Sequence, residues 1–197
     1  MNDSFLETIR VVDGRIYNLE YHQKRYENVM NSLGANDFKD LKEYISPPHV
    51  GTIRCRAVYD KDILHVEYYE YKKRNVSSLK LVYDDNIQYS KKSTCRDEID
   101  VLFTCREKCD DILIVKDSYI TDTSIANIAL YKDGLWFTPS KPLLKGTTRQ
   151  RLIDNGKIIE KMIKVDELYS YTKVALLNAM IDFDIICEDN LKDFFVR

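Results

Sequence analysis

The stretch FLETIRVVDGRIYNLEYHQKRYENVM, residues 5–30, combines the signals of a strand, a tight turn and an amphipathic helix. Phe5–Val12 is rich in residues that favour strands, and Asp13-Gly14 followed by RIYNL predicts a hairpin with a short returning strand. Asn18 is placed to cap a helix over Leu19–Leu33, in which apolar residues recur every three or four positions, and Gly34 ends it. A hairpin that leads into a helix predicts an α+β unit at the start of the chain.

A second hairpin follows farther along the chain. A polar helix is predicted over Asp37–Tyr44, ended by Pro47-Pro48. The segments TIRCRAVYD and ILHVEYYEYK then flank a short Asp-Lys-Asp loop, which predicts two paired strands. Since side chains alternate along a strand, Arg54 and Arg56 share the face opposite to the apolar residues.

The polar stretch YKKRNVSS predicts a linker between two domains, residues 1–72 and 73–197. Beyond it the sequence predicts strands at LKLVY, IQYS, DILIV, TSIANIALY, GLWFTP and KVALLNAM. Helices are predicted from about Arg96 to Glu107, from Thr147 or Thr148 to about Ile153, and near Asp166–Tyr171. The pattern indicates an α+β chain with mostly antiparallel strands.

Composition narrows the classes of function. The 197 residues carry 30 Lys and Arg against 32 Asp and Glu, so the formal net charge is −2 and no basic field favours nucleic acid. No apolar run approaches the ~20 residues needed to cross a bilayer, and no secretory leader is visible, so we expect a cytoplasmic protein without a membrane partner. Five scattered cysteines predict free thiols. Cys105 and Cys109 form C-x3-C without a second ligand pair, which does not favour a metal site.

Two features are suited to an anion. Arg25 lies on the buried side of the first predicted helix, where its charge needs an anion; the structural alternatives to a ligand are a buried salt bridge or a side chain that extends to solvent. The string PLLKGTTRQRL places Thr147 and Thr148 where a loop becomes a helix, and helix N-termini bind phosphate readily. Taken alone, this string is better explained by an ordinary helix cap at Thr147 or Thr148.

Two further features are suited to other chemistry. In QYSKKSTCR, residues 88–96, Lys91 and Lys92 lie at a predicted strand-to-helix turn; such pairs are usually solvated, but an amine there can also be reactive. In ITDTSIAN, Asp122 precedes Asn127 by five positions. A buried carboxylate at Asp122 could hold a protonated heterocyclic nitrogen, whereas the structural alternative is an Asp that forms a turn.

Taken together, these motifs resemble those of the class IV, or fold type IV, pyridoxal-phosphate enzymes. The opening segment resembles the family's segment with an H-x-x-R motif, which implies that Arg25 contacts the cofactor phosphate. Lys92 with Arg96 is similar to the Schiff-base lysine and the arginine four residues on. TDTSIAN resembles the family's E-x4-N element, which implies a ring-nitrogen role for Asp122, with Asn127 at the matching position and aspartate in place of the usual glutamate. TPSKPLLKGTTRQRL looks like the phosphate loop, which implies Thr147 and Thr148.

The resemblance implies a small N-terminal α/β domain, and a larger β-barrel-like C-terminal domain that binds pyridoxal 5′-phosphate and carries Lys92. Arg54, with Arg56 as second choice, would contact the carboxylate of a small-molecule amine or amino acid substrate. The compact chain resembles the aminodeoxychorismate lyases of folate biosynthesis. Amino acid aminotransferases of the branched-chain or D-amino acid type are the alternative, and a non-catalytic binding member of the fold is a third. Relatives are homodimers, so we expect a homodimer.

Overall fold

A computed structural model describes residues 4–188 and 191–197. The chain divides into two compact units: unit 1 contains Met1–Lys73 and Lys91–Cys95, and unit 2 contains Arg74–Ser90 and Arg96–Arg197. The first boundary differs by one residue from the predicted one. The segment Lys91–Cys95, expected in the C-terminal domain, instead lies with unit 1, because the amide of Leu6 donates to the carbonyl of Lys92 at 2.9 Å.

Unit 1 is a four-stranded antiparallel sheet, in the order β2-β1-β3-β4, with a long helix against it. Its strands are β1 (Phe5–Val12), β2 (Arg15–Ile16), β3 (Thr52–Tyr59) and β4 (Leu64–Glu70), and its helices are α1 (Leu19–Ser32) and α2 (Leu41–Tyr44). Both predicted hairpins are confirmed, with β1 paired to β2 and β3 paired to β4. Asp13 and Gly14 have φ of 48° and 79°, the left-handed conformation that a tight hairpin turn requires.

Helix α1 begins at Leu19, as predicted, but the capping role of Asn18 is wrong, because its side chain makes no capping hydrogen bond. It has φ of 52°, so the residue serves the turn between β2 and α1, a conformation that Asn tolerates. Helix α2 begins at Leu41 instead of Asp37, because the side chain of Asp40 caps it by accepting from the amide of Lys42 at 2.9 Å.

The core of unit 1 lies between α1 and one face of the sheet. Tyr26, Val29 and Met30 from α1 are buried against apolar residues of β1 and β3. The rings of Tyr26 and Tyr59 meet edge to face, with centroids 4.8 Å apart. Since burying each large apolar side chain contributes about 1.5–3 kcal/mol, this packing fixes the face of α1 that meets β1.

Unit 2 is built on a nine-stranded sheet. Its path runs β10-β9-β8-β7-β6-β5-β13, and β11 pairs with both β8 and β12. The strands are β5 (Leu79–Tyr83), β6 (Asp111–Lys116), β7 (Tyr119–Thr123), β8 (Asn127–Lys132), β9 (Leu135–Pro139), β10 (Ile159–Lys161), β11 (Lys173–Asn178), β12 (Asp182–Cys187) and β13 (Phe195–Val196). The helices are α3 (Asp97–Thr104), α4 (Thr147–Asp154) and α5 (Leu191–Phe194), with a 3-10 helix at Val165–Ser170.

Unit 2 corrects two predicted strands. The segment IQYS is not a strand: it belongs to an irregular stretch between β5 and α3, in which Ser93 forms an isolated bridge with Phe5. The predicted strand TSIANIALY is two strands, because the chain turns at residues 124–126 and pairs Asp122 with Asn127 across β7 and β8. The turn brings these two polar residues face to face.

Within the described residues, no helix is both long enough and apolar enough to cross a membrane.

The two strands that carry Asp122 and Asn127, β7 and β8, are fixed by an apolar core. Ile120 and Ile128, the neighbours of Asp122 and Asn127 on β7 and β8, are buried in the main core of unit 2. The core therefore holds the β7–β8 turn in a defined position.

Candidate functional site

The predicted site residues divide between the two units, and each group is described within its own unit. The first group, in unit 1, consists of Lys92, Arg25, Arg54 and Arg56. The second group, in unit 2, consists of Asp122, Asn127, Thr147 and Thr148.

Arg25 is held by a buried carboxylate. Its Nε donates to Oε1 of Glu7 at 2.8 Å and its Nη2 donates to Oε2 at 2.5 Å. His22, one turn earlier on α1, lies with its Nδ1 at 2.7 Å from the same Oε2. Glu7 is completely buried and the Arg25 side chain is 15% exposed. The anion that the sequence requires for Arg25 is thus present as a residue of β1, as the structural alternative predicted.

Glu7 and His22 influence each other's protonation, and the charge of Arg25 acts on both. Burial alone would raise the pKa of Glu7, but the Arg25 charge and the hydrogen bonds from His22 and Arg25 lower it to about 2. Burial lowers the pKa of His22, and the charges of Arg25 and Lys92 act in the same direction, against the hydrogen bond to Glu7. Glu7 is therefore ionised and His22 neutral at neutral pH, with the ring proton on Nδ1, where it donates to Glu7.

The backbone of Lys92 pairs with β1 next to Glu7, within unit 1. Its carbonyl accepts from the amide of Leu6, the residue before Glu7, at 2.9 Å. The neighbouring Lys91 is half-buried, and its ammonium lies over the ring of Phe5, 5.7 Å from the ring centroid.

In unit 2, Asp122 and Asn127 together bind the loop before α4. Oδ1 of Asp122 accepts from Nδ2 of Asn127 at 2.7 Å, and Oδ2 accepts from the amide of Leu144 at 2.8 Å. Nδ2 of Asn127 also donates to the carbonyl of Leu144 at 2.8 Å. The acid and the amide therefore hold both backbone groups of one loop residue.

Burial raises the pKa of Asp122 to about 6, although the hydrogen bonds from Leu144 and Asn127 and the charge of Arg149 lower it in part. Arg149 is itself almost fully buried, and its Nη2 donates to the carbonyl of Pro139 at 2.7 Å and to Glu160 at 2.6 Å. A carboxylate with this environment is a good partner for a cationic N–H group, which would offset the cost of its burial.

Gly146 allows the loop to approach Asn127. A Cβ at residue 146 would lie 2.0 Å from Oδ1 of Asn127, so only glycine fits. The same residue, with φ −68° and ψ 146°, is the N-cap of α4. Thr147 and Thr148 are therefore the first two helical residues and not the cap, which corrects the prediction. Both are buried, and the amides of a first helical turn have no acceptor within the helix.

Arg96 and the two strand arginines have different surroundings. Nη2 of Arg96 donates to the carbonyl of Ser124, in the turn between Asp122 and Asn127, at 2.7 Å. Arg54 is exposed on β3, with its guanidinium 5.1 Å from the ring centroid of Tyr69. Arg56 shares that face, as predicted, but forms an ion pair with Glu67 at 3.3 Å. Arg54 is thus better suited than Arg56 to bind a substrate anion.

Sequence reasoning missed Glu7, Leu144 and Gly146. Glu7 could have been found from its place in a strand whose neighbours are apolar, opposite a helix with a half-buried arginine. The backbone contacts of Leu144 leave no signal in the sequence. Among the described residues, no group of three or more His, Cys, Asp and Glu side chains is arranged to hold a metal ion.

Comparison with known proteins identifies the class. The family model described as amino-transferase class IV matches residues 57–186. A Haemophilus influenzae protein described as uncharacterized is 34% identical over 180 residues, which cover 88% of this chain and 96% of that protein. A crystal structure from Haemophilus somnus, described provisionally as a 4-amino-4-deoxychorismate lyase, is 32% identical with a TM-score of 0.86, covering 91% of this chain and 97% of that one.

A hypothetical aminotransferase from Mycobacterium tuberculosis, in its PLP-bound form, has a TM-score of 0.81 at 16% identity, covering 99% of this chain and 84% of that one. This last likeness concerns the fold alone. The architecture is that of fold type IV proteins, as the sequence predicted. The chain belongs to the amino-transferase class IV family.

Proposed function

We propose that this chain is a pyridoxal-phosphate-dependent enzyme that acts as an aminodeoxychorismate lyase, converting 4-amino-4-deoxychorismate to 4-aminobenzoate and pyruvate. The observation that carries the choice of lyase is the likeness, over nearly the full length of both chains, to the Haemophilus somnus structure described provisionally as such a lyase. The family alone supports an aminotransferase equally, so the experiments below separate the two.

The residues of each unit fit the parts of pyridoxal phosphate. A phosphate needs cations and N–H donors, and two features are each suited to it: the oriented guanidinium of Arg25, and the first turn of α4 with the hydroxyls of Thr147 and Thr148. The pyridine nitrogen needs a buried carboxylate, which Asp122 provides. The aldehyde needs an amine, which is the proposed role of Lys92.

When bound, pyridoxal phosphate supplies a ring that accepts electrons from the carbon next to the bonded amine. Asp122 would keep the ring nitrogen protonated, and its carboxylate is fixed by hydrogen bonds from Asn127 and the Leu144 amide. Lys92 Nζ would hold the aldehyde of the cofactor, and the same amine would serve as the base that accepts a proton from the amine-bearing carbon of the substrate. Arg25 would fix the phosphate end, so that the reacting atoms stay in register with Lys92.

The substrate proposed here carries carboxylate groups, and Arg54 is the residue we assign to one of them. Its exposed guanidinium stacks on Tyr69, whereas that of Arg56 is paired with Glu67. Arg54→Gln should raise the KM for a carboxylate substrate about tenfold with a smaller effect on kcat, because a charged hydrogen bond is worth about 1.5–3 kcal/mol. An unchanged KM would remove Arg54 from the site.

The cofactor assignment is tested by uptake. Purified protein mixed with pyridoxal phosphate should develop the visible absorbance of cofactor bonded to a lysine, and the band should be absent in Lys92→Ala. Lys91→Ala is the matched control, since the Lys91 side chain packs over Phe5. Wild-type protein that takes up no cofactor would refute both enzymatic functions and favour the non-catalytic binding member of the fold.

The reaction is tested by two parallel incubations, one with 4-amino-4-deoxychorismate and one with an amino acid and 2-oxoglutarate. Release of 4-aminobenzoate without a keto acid supports the lyase. Amino transfer that depends on the keto acid, with no 4-aminobenzoate, would replace it by the aminotransferase. We also propose that the protein is a homodimer, which light scattering on the cofactor-loaded protein would test.

A further inference from the structure

The fold of unit 1 does not require a carboxylate at the position of Glu7. It is a fully buried carboxylate in a strand whose neighbouring residues Phe5, Leu6 and Ile9 are buried apolar side chains. Burying a charge costs several kcal/mol unless it is paired, and a residue such as Leu or Gln would fill the same place on the sheet without that cost. The carboxylate is therefore best explained by what it does to its partners.

The geometry points to a role in orienting Arg25. Glu7 contacts the guanidinium along the edge that carries Nε and Nη2, through two hydrogen bonds of 2.8 Å and 2.5 Å. Two parallel bonds fix both the plane and the direction of a guanidinium, which a single bond does not. The edge that carries Nη1 is not used by Glu7, so its direction is set by the pair.

His22 completes the arrangement from the other side of the carboxylate. Its Nδ1 lies 2.7 Å from Oε2, the oxygen that also accepts from Arg25 Nη2. The imidazole is buried and neutral, so it adds a hydrogen bond without adding a second cation. Glu7 is thereby held between β1 and α1, and it cannot rotate away from Arg25 without losing the bond from His22.

We infer that Glu7 is a positioning residue, which holds the Arg25 guanidinium in the orientation that binds the phosphate monoester of the cofactor. The inference rests on the proposed function. A carboxylate has two opposing effects on such a site: it partly neutralises the arginine, which weakens phosphate binding, and it removes the freedom of the side chain, which strengthens it. The proposal is that orientation outweighs neutralisation, and the sign of the effect on affinity decides between them.

The test compares pyridoxal phosphate with pyridoxal, which lacks only the phosphate. Dissociation constants for both are measured by absorbance titration of wild type, Glu7→Gln and Glu27→Gln. Glu27 is the matched control because it is an acid on α1 that accepts from Gln23 and does not contact Arg25. Glu7→Gln should bind pyridoxal phosphate about tenfold more weakly, the equivalent of one well-placed hydrogen bond, and should bind pyridoxal as wild type does.

A structural role alone would weaken both ligands equally, and that result would overturn the inference. Tighter binding of pyridoxal phosphate by Glu7→Gln would overturn it too, because neutralisation would then be the larger effect. If Glu7→Gln fails to fold, Glu7→Asp is measured with the same two ligands and should show the same selective loss. In an Arg25→Lys background the Glu7 substitution should have no further effect on pyridoxal phosphate, since Glu7 acts through Arg25.

Failure of the inference is distinguishable from failure of the proposed function. If wild-type protein binds neither ligand, the function itself fails and the inference fails with it. If wild-type protein binds pyridoxal phosphate more tightly than pyridoxal but Glu7→Gln does not change the ratio, only the role of Glu7 is refuted.

Discussion

Gly146→Ala tests the contact between the β7–β8 turn and the loop before α4. The other glycines of the chain have φ between 64° and 84°, where glycine is favoured for its backbone. Gly146 instead has φ −68° and ψ 146°, which any residue adopts. Glycine is required at this position for steric reasons alone, because a Cβ would lie 2.0 Å from Oδ1 of Asn127.

The expected loss of stability in Gly146→Ala follows from the hydrogen bonds that Asn127 would lose. Moving its amide by over an ångström breaks the hydrogen bonds from Nδ2 to Asp122 and to the carbonyl of Leu144, of 2.7 Å and 2.8 Å. A net worth of about 0.5–1.5 kcal/mol for each bond, with a further cost for the carboxylate left without its donor, gives a loss of about 2–3 kcal/mol. Alanine has less backbone entropy than glycine in the unfolded chain, which offsets at most about 0.4–1 kcal/mol of this loss.

A double-mutant cycle with Asn127→Ala measures the coupling energy between residues 146 and 127. The wild type, the two single variants and the double variant are each unfolded in urea. Removing the Asn127 amide removes the obstacle, so Gly146→Ala should be neutral or slightly stabilising in that background. A coupling energy of about 2 kcal/mol or more is expected. An equal cost of Gly146→Ala in both backgrounds would refute the steric explanation and would mean that the loop tolerates no side chain for another reason.

Three further predictions concern stability. Because the pKa of Glu7 is lowered from 4.5 to about 2 on folding, its ionisation stabilises the folded protein above pH 4.5, and this stabilisation is lost as the pH falls towards about 2. The free energy of unfolding should drop by about 3 kcal/mol across this range, and the drop should be absent in Glu7→Gln. The raised pKa of Asp122 has the opposite sign: stability should fall by about 3 kcal/mol as pH rises from 3.8 to about 6, and thermal unfolding of Asp122→Asn over a pH series should lack this slope. Gly34→Ala and Gly134→Ala, at φ of 80° and 84° with open space around the added Cβ, should each cost about 1 kcal/mol in urea unfolding, and a stabilisation by either would contradict a backbone requirement for glycine there.

Local sequence signals predicted most of the fold. The Asp13-Gly14 turn and the alternation of apolar residues in β3 are properties of a few neighbouring residues, and both are present as expected. Errors arose where tertiary contacts decide. The segment IQYS has a strand-like composition but forms no strand in the described structure, and TSIANIALY is interrupted by a turn because its second part, in β8, pairs back onto β7.

The candidate site was predictable as a set of residues but not as a set of contacts. Arg25, Lys92 and Asp122 stand in recognisable motifs, whereas the carboxylate that binds Arg25 lies 18 residues away on another element. No spacing rule connects Glu7 to Arg25, because the register between β1 and α1 is set by the packing of the core. The partner of Asp122 is likewise a backbone amide, that of Leu144, which any residue could supply.

The path of the chain between the two units has a consequence for how the protein can be divided. Lys91–Cys95 belongs to unit 1, while Ser90 and Arg96 on either side of it belong to unit 2. A gene cut at the predicted boundary would yield an N-terminal fragment without Lys92 and without the partner for the Leu6 amide. The units therefore cannot be exchanged between relatives as simple modules with one junction, and during synthesis unit 1 cannot be completed until residue 95 has left the ribosome.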